Sequence, residues 1–124
     1  MLGQYKVISL ANAKALSGAG STNGTAVNLK TEKVSTRRKS KMIVSVGELG
    51  GTNPTVTVKL QGSANGTSNW TDIPGATTTA ISAAGSVEVN VDLPYPFVRS
   101  VITLAGTSPT ASVYAGLLTG LISV

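Results

Sequence analysis

The chain of 124 residues contains 41% hydrophobic but only 12% charged residues, and ten Lys and Arg against five Asp and Glu give a net charge of +5. This length and composition exclude a disordered tail and are sufficient for one hydrophobic core rather than two. The chain contains no Cys and no His, which excludes disulfides, thiolate and imidazole metal ligands, and Cys or His catalysis.

The first 40 residues combine short strand patterns with polar stretches. Strands are predicted at residues 5–10 and 26–30, and a Gly/Ser/Asn-rich segment separates them. Residues 11–16 allow a single helical turn, which Gly18 and Gly20 would end. We expect residues 1–40 to form an extended N-terminal arm or edge segment.

The clearest strand patterns lie in the second half of the chain. In residues 55–61, Val56, Val58 and Leu60 alternate with polar side chains, and residues 86–93 repeat this alternation. A period of two places the apolar side chains on one face, as in a half-buried antiparallel strand. Further strands are predicted at residues 41–47, 69–73, 77–81, 97–105 and 111–118, and turns at 50–54, 64–66, 74–75, 84–85, 94–96 and 106–109.

Many short strands joined by tight turns predict an all-β fold, an antiparallel β-sandwich that is jelly-roll-like and has an extended N-terminal segment. The sandwich domain should span residues 41–124, within a single domain overall. The motif Gly-Thr-x-Pro-Thr occurs twice, starting at Gly51 and at Gly106. Two interpretations stay open. The two copies of the motif belong to two related hairpins, or the same turn-forming sequence is used twice without such a relation.

The chain offers little chemistry for catalysis. Its carboxylates are Glu32, Glu48, Asp72, Glu88 and Asp92, and no Ser-x-x-Lys or Gly-x-Ser-x-Gly motif occurs. Calcium-loop and P-loop patterns are also missing. The sequence therefore predicts no enzyme, no cofactor and no metal site.

The cluster formed by Arg37, Arg38, Lys39 and Lys41 is the one concentrated charge. It is interpreted either as a solvated loop or strand-edge guard, or as a contact for a protein or for nucleic acid. A protein contact is preferred to nucleic acid because no aromatic residues are interleaved with the cluster. For the single tryptophan, Trp70, packing within the sheet is favoured over an exposed platform for sugar stacking.

Several segments resemble small virion proteins of tailed bacteriophages, the β-sandwich proteins that decorate and cement the head shell. The matching segments are VTVKLQGS at 56–63, NGT at 65–67, WTDI at 70–73, FVRSVITL at 97–104 and GTSPT at 106–110. The resemblance implies a capsid decoration protein that is made in the host cytoplasm and located on the capsid surface of the virion. It implies the major capsid protein as partner and a homo-oligomer, with a trimer favoured, and it provides no catalytic residues.

Two alternatives remain. The chain would be a tail or fibre module that binds carbohydrate or a receptor through Trp70 and the Asn/Thr-rich loops, or a coat protein of a small RNA virus with the basic cluster on its inner wall. Nucleic acid is not an expected partner, because no aromatic residues are interleaved with the basic cluster. A membrane is not expected either, since the sequence shows neither a signal peptide nor a membrane-spanning stretch.

Overall fold

The computed structural model describes residues 5–29, 40–91 and 95–120. These ranges contain strands only, as predicted, and no helix. The strands are β1 (Tyr5–Ser17), β2 (Gly20–Asn23), β3 (Val27–Asn28), β4 (Ser40–Ser63), β5 (Thr71–Thr77), β6 (Gly85–Val91) and β7 (Phe97–Gly120). No helix in these ranges is long and apolar enough to cross a membrane.

The sheet is built on two strands of 24 residues each, β4 and β7, which pair antiparallel along almost their whole length. On the side of β7 that faces away from β4, the strands β1, β2 and β3 pair antiparallel with successive parts of β7 and form one edge of the sheet. On the free side of β4, the strands β6 and β5 form the opposite edge. Strands β1, β2 and β3 therefore provide one edge of the sheet to which β4 and β7 also belong, and β4 begins at Ser40.

This long antiparallel ribbon bends midway and closes on itself as a jelly-roll-like β-sandwich. One continuous hydrophobic core includes Val44 and Leu117 from one half of the ribbon and Val58 and Ile102 from the other. The two halves also approach at their backbones, since a Cβ placed on Gly24 would lie 3.2 Å from the carbonyl oxygen of Leu10. The bend brings the two apolar faces together and leaves the polar faces outside.

The ribbon bends at residues 50–54 and 106–109. The sequence predicted turns that end a strand at both places, and this prediction is wrong. Both segments stay within continuous strands, because each pairs with the other, with Thr52 opposite Thr107 and register shifts on either side. The two Gly-Thr-x-Pro-Thr motifs share their backbone conformation, with φ of 105° at Gly51 and 123° at Gly106. They are thus neither separate hairpins nor independent turns, but two related corners that pack against each other.

The predicted inward face of β4 is confirmed, since Val56, Val58 and Leu60 are completely buried. Three further local predictions are wrong. The strand predicted at residues 77–81 does not continue past Thr77, and Ile81 forms only an isolated bridge with Val56. Residues 11–16, where a helical turn was allowed, continue β1, because two bulges keep this segment paired with β7. Residues 74–75, predicted as a turn, lie inside β5, where a register shift against β4 absorbs Gly75 and its φ of 75°.

Candidate functional site

The charges outside residues 30–39 nearly cancel. That part of the sequence contains five Lys and Arg and four Asp and Glu. By contrast, residues 30–39 contain five Lys and Arg and one Glu, so this segment alone carries +4 of the net charge of +5. The excess positive charge is therefore concentrated in one segment between β3 and β4.

Of the predicted interface residues, Arg37, Arg38 and Lys39 lie outside the described residues. Lys41 lies on β4, exposed, with its Nζ 3.6 Å from Oε2 of Glu88 on the neighbouring strand β6. A contact between two exposed side chains of this kind contributes little to stability, about 0–1 kcal/mol. The structure thus places Lys41 in a cross-strand ion pair at the start of β4.

Both ends of the basic segment are attached to the sandwich. Leu29, directly before it, is 1% exposed and donates its backbone N–H to the carbonyl oxygen of Pro96 at 2.8 Å. Ser40, directly after it, is 2% exposed and begins β4 opposite Val91. The charged segment is consequently held to the folded body at its two ends.

A ladder of polar side chains crosses the outer face of β7, β4 and β5. The guanidinium group of Arg99 donates from Nε and Nη2 to Oε1 of Gln61, at 3.0 and 2.8 Å. The Nε2 of Gln61 donates to Oδ1 of Asp72 at 2.9 Å, and Nζ of Lys59 donates to Oδ2 of Asp72 at 3.1 Å. These residues meet because Gln61 pairs in register with both Arg99 and Asp72.

The ladder holds Asp72 in its charged form. Hydrogen bonds from Gln61 and then Lys59 lower the pKa of this carboxyl below its ordinary value of 3.8, because both donors favour the carboxylate over the neutral acid. Asp72 is exposed, so solvent screens this effect. The arrangement fixes the side-chain orientations on the outer face more than it stabilises the fold.

The other end of the ladder contains Trp70. The Arg99 guanidinium carbon lies 4.4 Å from the centre of the Trp70 ring, a cation–π contact, and Trp70 is half-buried. Trp70 directly precedes β5 and is not part of the hydrophobic core. One face of its ring is covered by Arg99, which leaves less of the ring for stacking against a sugar.

A depression of about 300 Å³ lies where β1, β4 and β7 run side by side. It is lined by Ala15, Leu16, Ser17, Glu48, Thr110, Ala111 and Ser112. Sequence reasoning missed this site because Glu48 follows a bulge, the register shift between Val46 and Glu48, that breaks the alternation of β4.

Groups of three Asp or Glu side chains that would suit a metal ion do not occur in the part of the chain that the structure describes. The polar groups described above form hydrogen bonds, ion pairs and one contact with an aromatic ring.

No protein-family model and no curated protein matches the chain. Similar solved structures include a chain from the structure of infectious bursal disease virus Gx strain, at 9% identity and a TM-score of 0.45 over 94% of this chain and 32% of that chain. They also include the C-terminal family 22 carbohydrate binding module of Clostridium thermocellum Xyn10B, at 15% identity and a TM-score of 0.48 over 95% of this chain and 87% of that chain. A xylan-binding domain from the same module family has 16% identity and a TM-score of 0.42 over 100% of this chain and 91% of that chain. The chain spans about a third of the length of the viral chain.

Proposed function

We propose that the chain is a structural virion protein, a capsid decoration protein that stabilises a phage head shell and has no catalytic role. The observation that supports this proposal best is the separation of charge. Outside residues 30–39 the net charge is only +1, whereas residues 30–39 carry +4 and are flanked by Leu29 and Ser40, which are both buried in the sandwich. A compact body with one basic segment suits attachment to an acidic protein surface.

In this proposal many copies of the protein bind the major capsid protein at the outer surface of the virion. The copies form homo-oligomers, and a trimer is favoured. Arg37, Arg38, Lys39 and Lys41 contact the shell or a neighbouring copy. The segment from residue 30 to residue 41 contains no aromatic side chain on which a base would stack, so a protein partner is preferred to nucleic acid.

The test measures attachment of the purified protein to capsids of the encoding virus that lack it. A variant with Ala at Arg37, Arg38, Lys39 and Lys41 should unfold at the wild-type temperature but co-sediment with capsids at lower occupancy. The control replaces Lys59 and Asp72 by Ala, which removes an exposed ion pair without changing the net charge. Wild-type occupancy by the cluster variant would overturn this assignment.

The salt dependence of attachment gives a second measurement on the same proteins. Contacts between exposed charges are screened within about 8–10 Å at physiological ionic strength. Wild-type attachment should therefore weaken as salt is added, and attachment of the cluster variant should respond less. Equal salt responses would contradict an electrostatic role for the cluster.

A second candidate function is a tail or fibre module that binds carbohydrate or a receptor. The observation that favours it is Trp70, which lies on the outer face at the end of the Arg99–Gln61–Asp72 ladder. The fluorescence of this single tryptophan provides the test. Oligosaccharides should shift its emission and protect it from acrylamide, and full protection of Trp70 in the free protein would rule out this function.

A further inference from the structure

An apolar patch of three side chains, Ile43, Tyr114 and Leu118, lies on the outer face of β4 and β7. Residues next to them in these strands, such as Val44 and Leu117, belong to the hydrophobic core, so alternation places the three side chains on the opposite face. All three are half-buried, and none of them packs against the core. Their remaining apolar surface therefore faces away from the protein interior.

Strand register brings these side chains together around a glycine. Ile43 lies opposite Gly116 on β7, and Tyr114 and Leu118 are the neighbours of Gly116 on the same face of that strand. The Tyr114 ring lies across Gly116, since a Cβ at Gly116 would be 2.9 Å from two of its ring carbons. Gly116 is consequently buried although it lies on the outer face. The ring thus follows the strand instead of projecting from it, and the patch is low and broad.

Polar side chains surround the patch. On the β6 side, Nζ of Lys41 lies 3.6 Å from Oε2 of Glu88, and Oγ of Ser86 donates to Oγ of Ser45 at 3.2 Å. On the β1 side, Ser9 is exposed. An apolar centre with a polar rim is the usual construction of a protein–protein interface, where Tyr is also enriched.

We propose that this patch is the surface through which the sandwich contacts the shell protein, whose matching surface is apolar with acidic groups beside it. The inference rests on the proposed decoration function and deepens it, because it names the part of the folded body that touches the shell. Residues 30–39, which carry +4, end directly before Ser40, and Lys41 is already part of the polar rim. The basic segment therefore joins the sandwich at the border of the patch, and the two form one continuous surface.

A partner with acidic groups fits this surface better than a second copy of the chain. Each copy has a net charge of +5, and its basic segment joins the sandwich beside the same patch. Two copies that met through their patches would bring segments of like charge together, which opposes association. An acidic partner is attracted by the same charges. Contacts between copies in the proposed oligomer then use other surfaces.

The first test replaces Ile43 and Leu118 by Thr, which removes apolar surface but suits a strand. This patch variant should unfold near the wild-type temperature. For half occupancy on capsids of the encoding virus that lack the protein, it should need about tenfold higher concentration, because less apolar surface is buried. Ile43→Thr and Leu118→Thr alone should each have about a threefold effect.

The control is Val101→Thr, a similar change on β7 in the other half of the sandwich. Val101 is not part of the hydrophobic core and lies opposite Lys59 of the polar ladder. This variant should attach like wild type. Wild-type occupancy by the folded patch variant, or by both folded single variants, would overturn the inference.

Salt separates the patch from the basic cluster. Contacts between exposed charges are screened by salt, whereas apolar contacts are not. The ratio of half-occupancy concentrations between the patch variant and wild type should therefore persist at high salt, while the ratio for the cluster variant should fall towards one. A patch effect that disappears when salt is added would contradict an apolar contact.

Sedimentation velocity of the full chain tests the other occupants of the patch. Wild type and the patch variant should have the same oligomeric mass, and dissociation of the variant would place a second copy on the patch and overturn the inference. A lower unfolding temperature with unchanged attachment would place another part of the same chain there, with the same consequence. A wild type that does not attach to capsids refutes the decoration function itself, whereas equal attachment of wild type and patch variant refutes only the role of the patch.

Discussion

Gly106 lies at one of the two corners where the ribbon bends, and its replacement by Ala tests the corner geometry directly. Its φ of 123° is a backbone conformation that residues with a side chain rarely adopt. A Cβ at this position would lie 2.9 Å from the carbonyl oxygens of Thr52 and Asn53 and 3.0 Å from Cα of Pro54. These atoms belong to the backbone of β4 and cannot move away as a flexible side chain would.

The structure allows the cost to be estimated from two contributions. Holding an alanine at this φ costs about 1–3 kcal/mol. Moving the β4 backbone to relieve the close contacts adds about 1–3 kcal/mol, as in other overpacked sites. We therefore expect Gly106→Ala to lower the free energy of unfolding by about 4 kcal/mol. Gly51→Ala should lower it by a similar amount, because a Cβ at Gly51 would lie 2.7–2.9 Å from backbone atoms of β7.

Urea unfolding followed by the fluorescence of Trp70 measures these changes, with two glycines as controls. Gly75 also has a positive φ, 75°, but its Cβ would meet nothing within 4 Å, so Ala there should cost about 1–2 kcal/mol. Gly47 lacks both features, and its Cβ would meet Ser112 at 3.9 Å, so Ala there should be nearly neutral. The account of the corners would be refuted if Gly106→Ala cost no more than Gly75→Ala.

Four further substitutions test the core and the outer face. Leu60→Ala, at a completely buried position, should lower the free energy of unfolding by about 2–5 kcal/mol. Urea unfolding measures this change. Ser100→Ala should leave the melting temperature unchanged or raise it, because the buried Ser100 Oγ has no hydrogen-bond partner among the described residues; a clear drop would contradict this. Asp72→Asn should be less stable than wild type above the ordinary carboxyl pKa of 3.8, and the difference should disappear as pH falls through the lowered pKa of Asp72. NMR titration should show that Gln61→Ala raises this pKa, and an unchanged value would contradict the assigned cause.

The sequence was sufficient to predict the all-β fold and the inward face of the central strand. Val56, Val58 and Leu60 alternate with polar residues, and a half-buried strand is the structure that buries such a pattern on one side. The corners were not predictable in the same way. Gly and Pro next to Thr and Asn are typical of turns, and only the pairing of the two motifs across β4 and β7 keeps them inside strands.

The candidate sites also differ in whether the sequence alone is enough to find them. The basic cluster at 37–41 is a local feature of the sequence and needs no structure to be found. The ladder joins Gln61, Asp72 and Arg99, which are far apart in the chain, and their contact depends on strand register. Alternation shows that Gln61 points outward but not which side chains lie beside it, since register is set by the whole sheet.

Copy number in purified particles of the encoding virus tests the central claim most directly. Quantitative mass spectrometry would compare the amount of this chain with that of the major shell protein. A capsid decoration protein should be present in many copies per particle, in a fixed ratio to the shell protein. A chain that is missing from purified particles, or present in only a few copies, would contradict the proposed function.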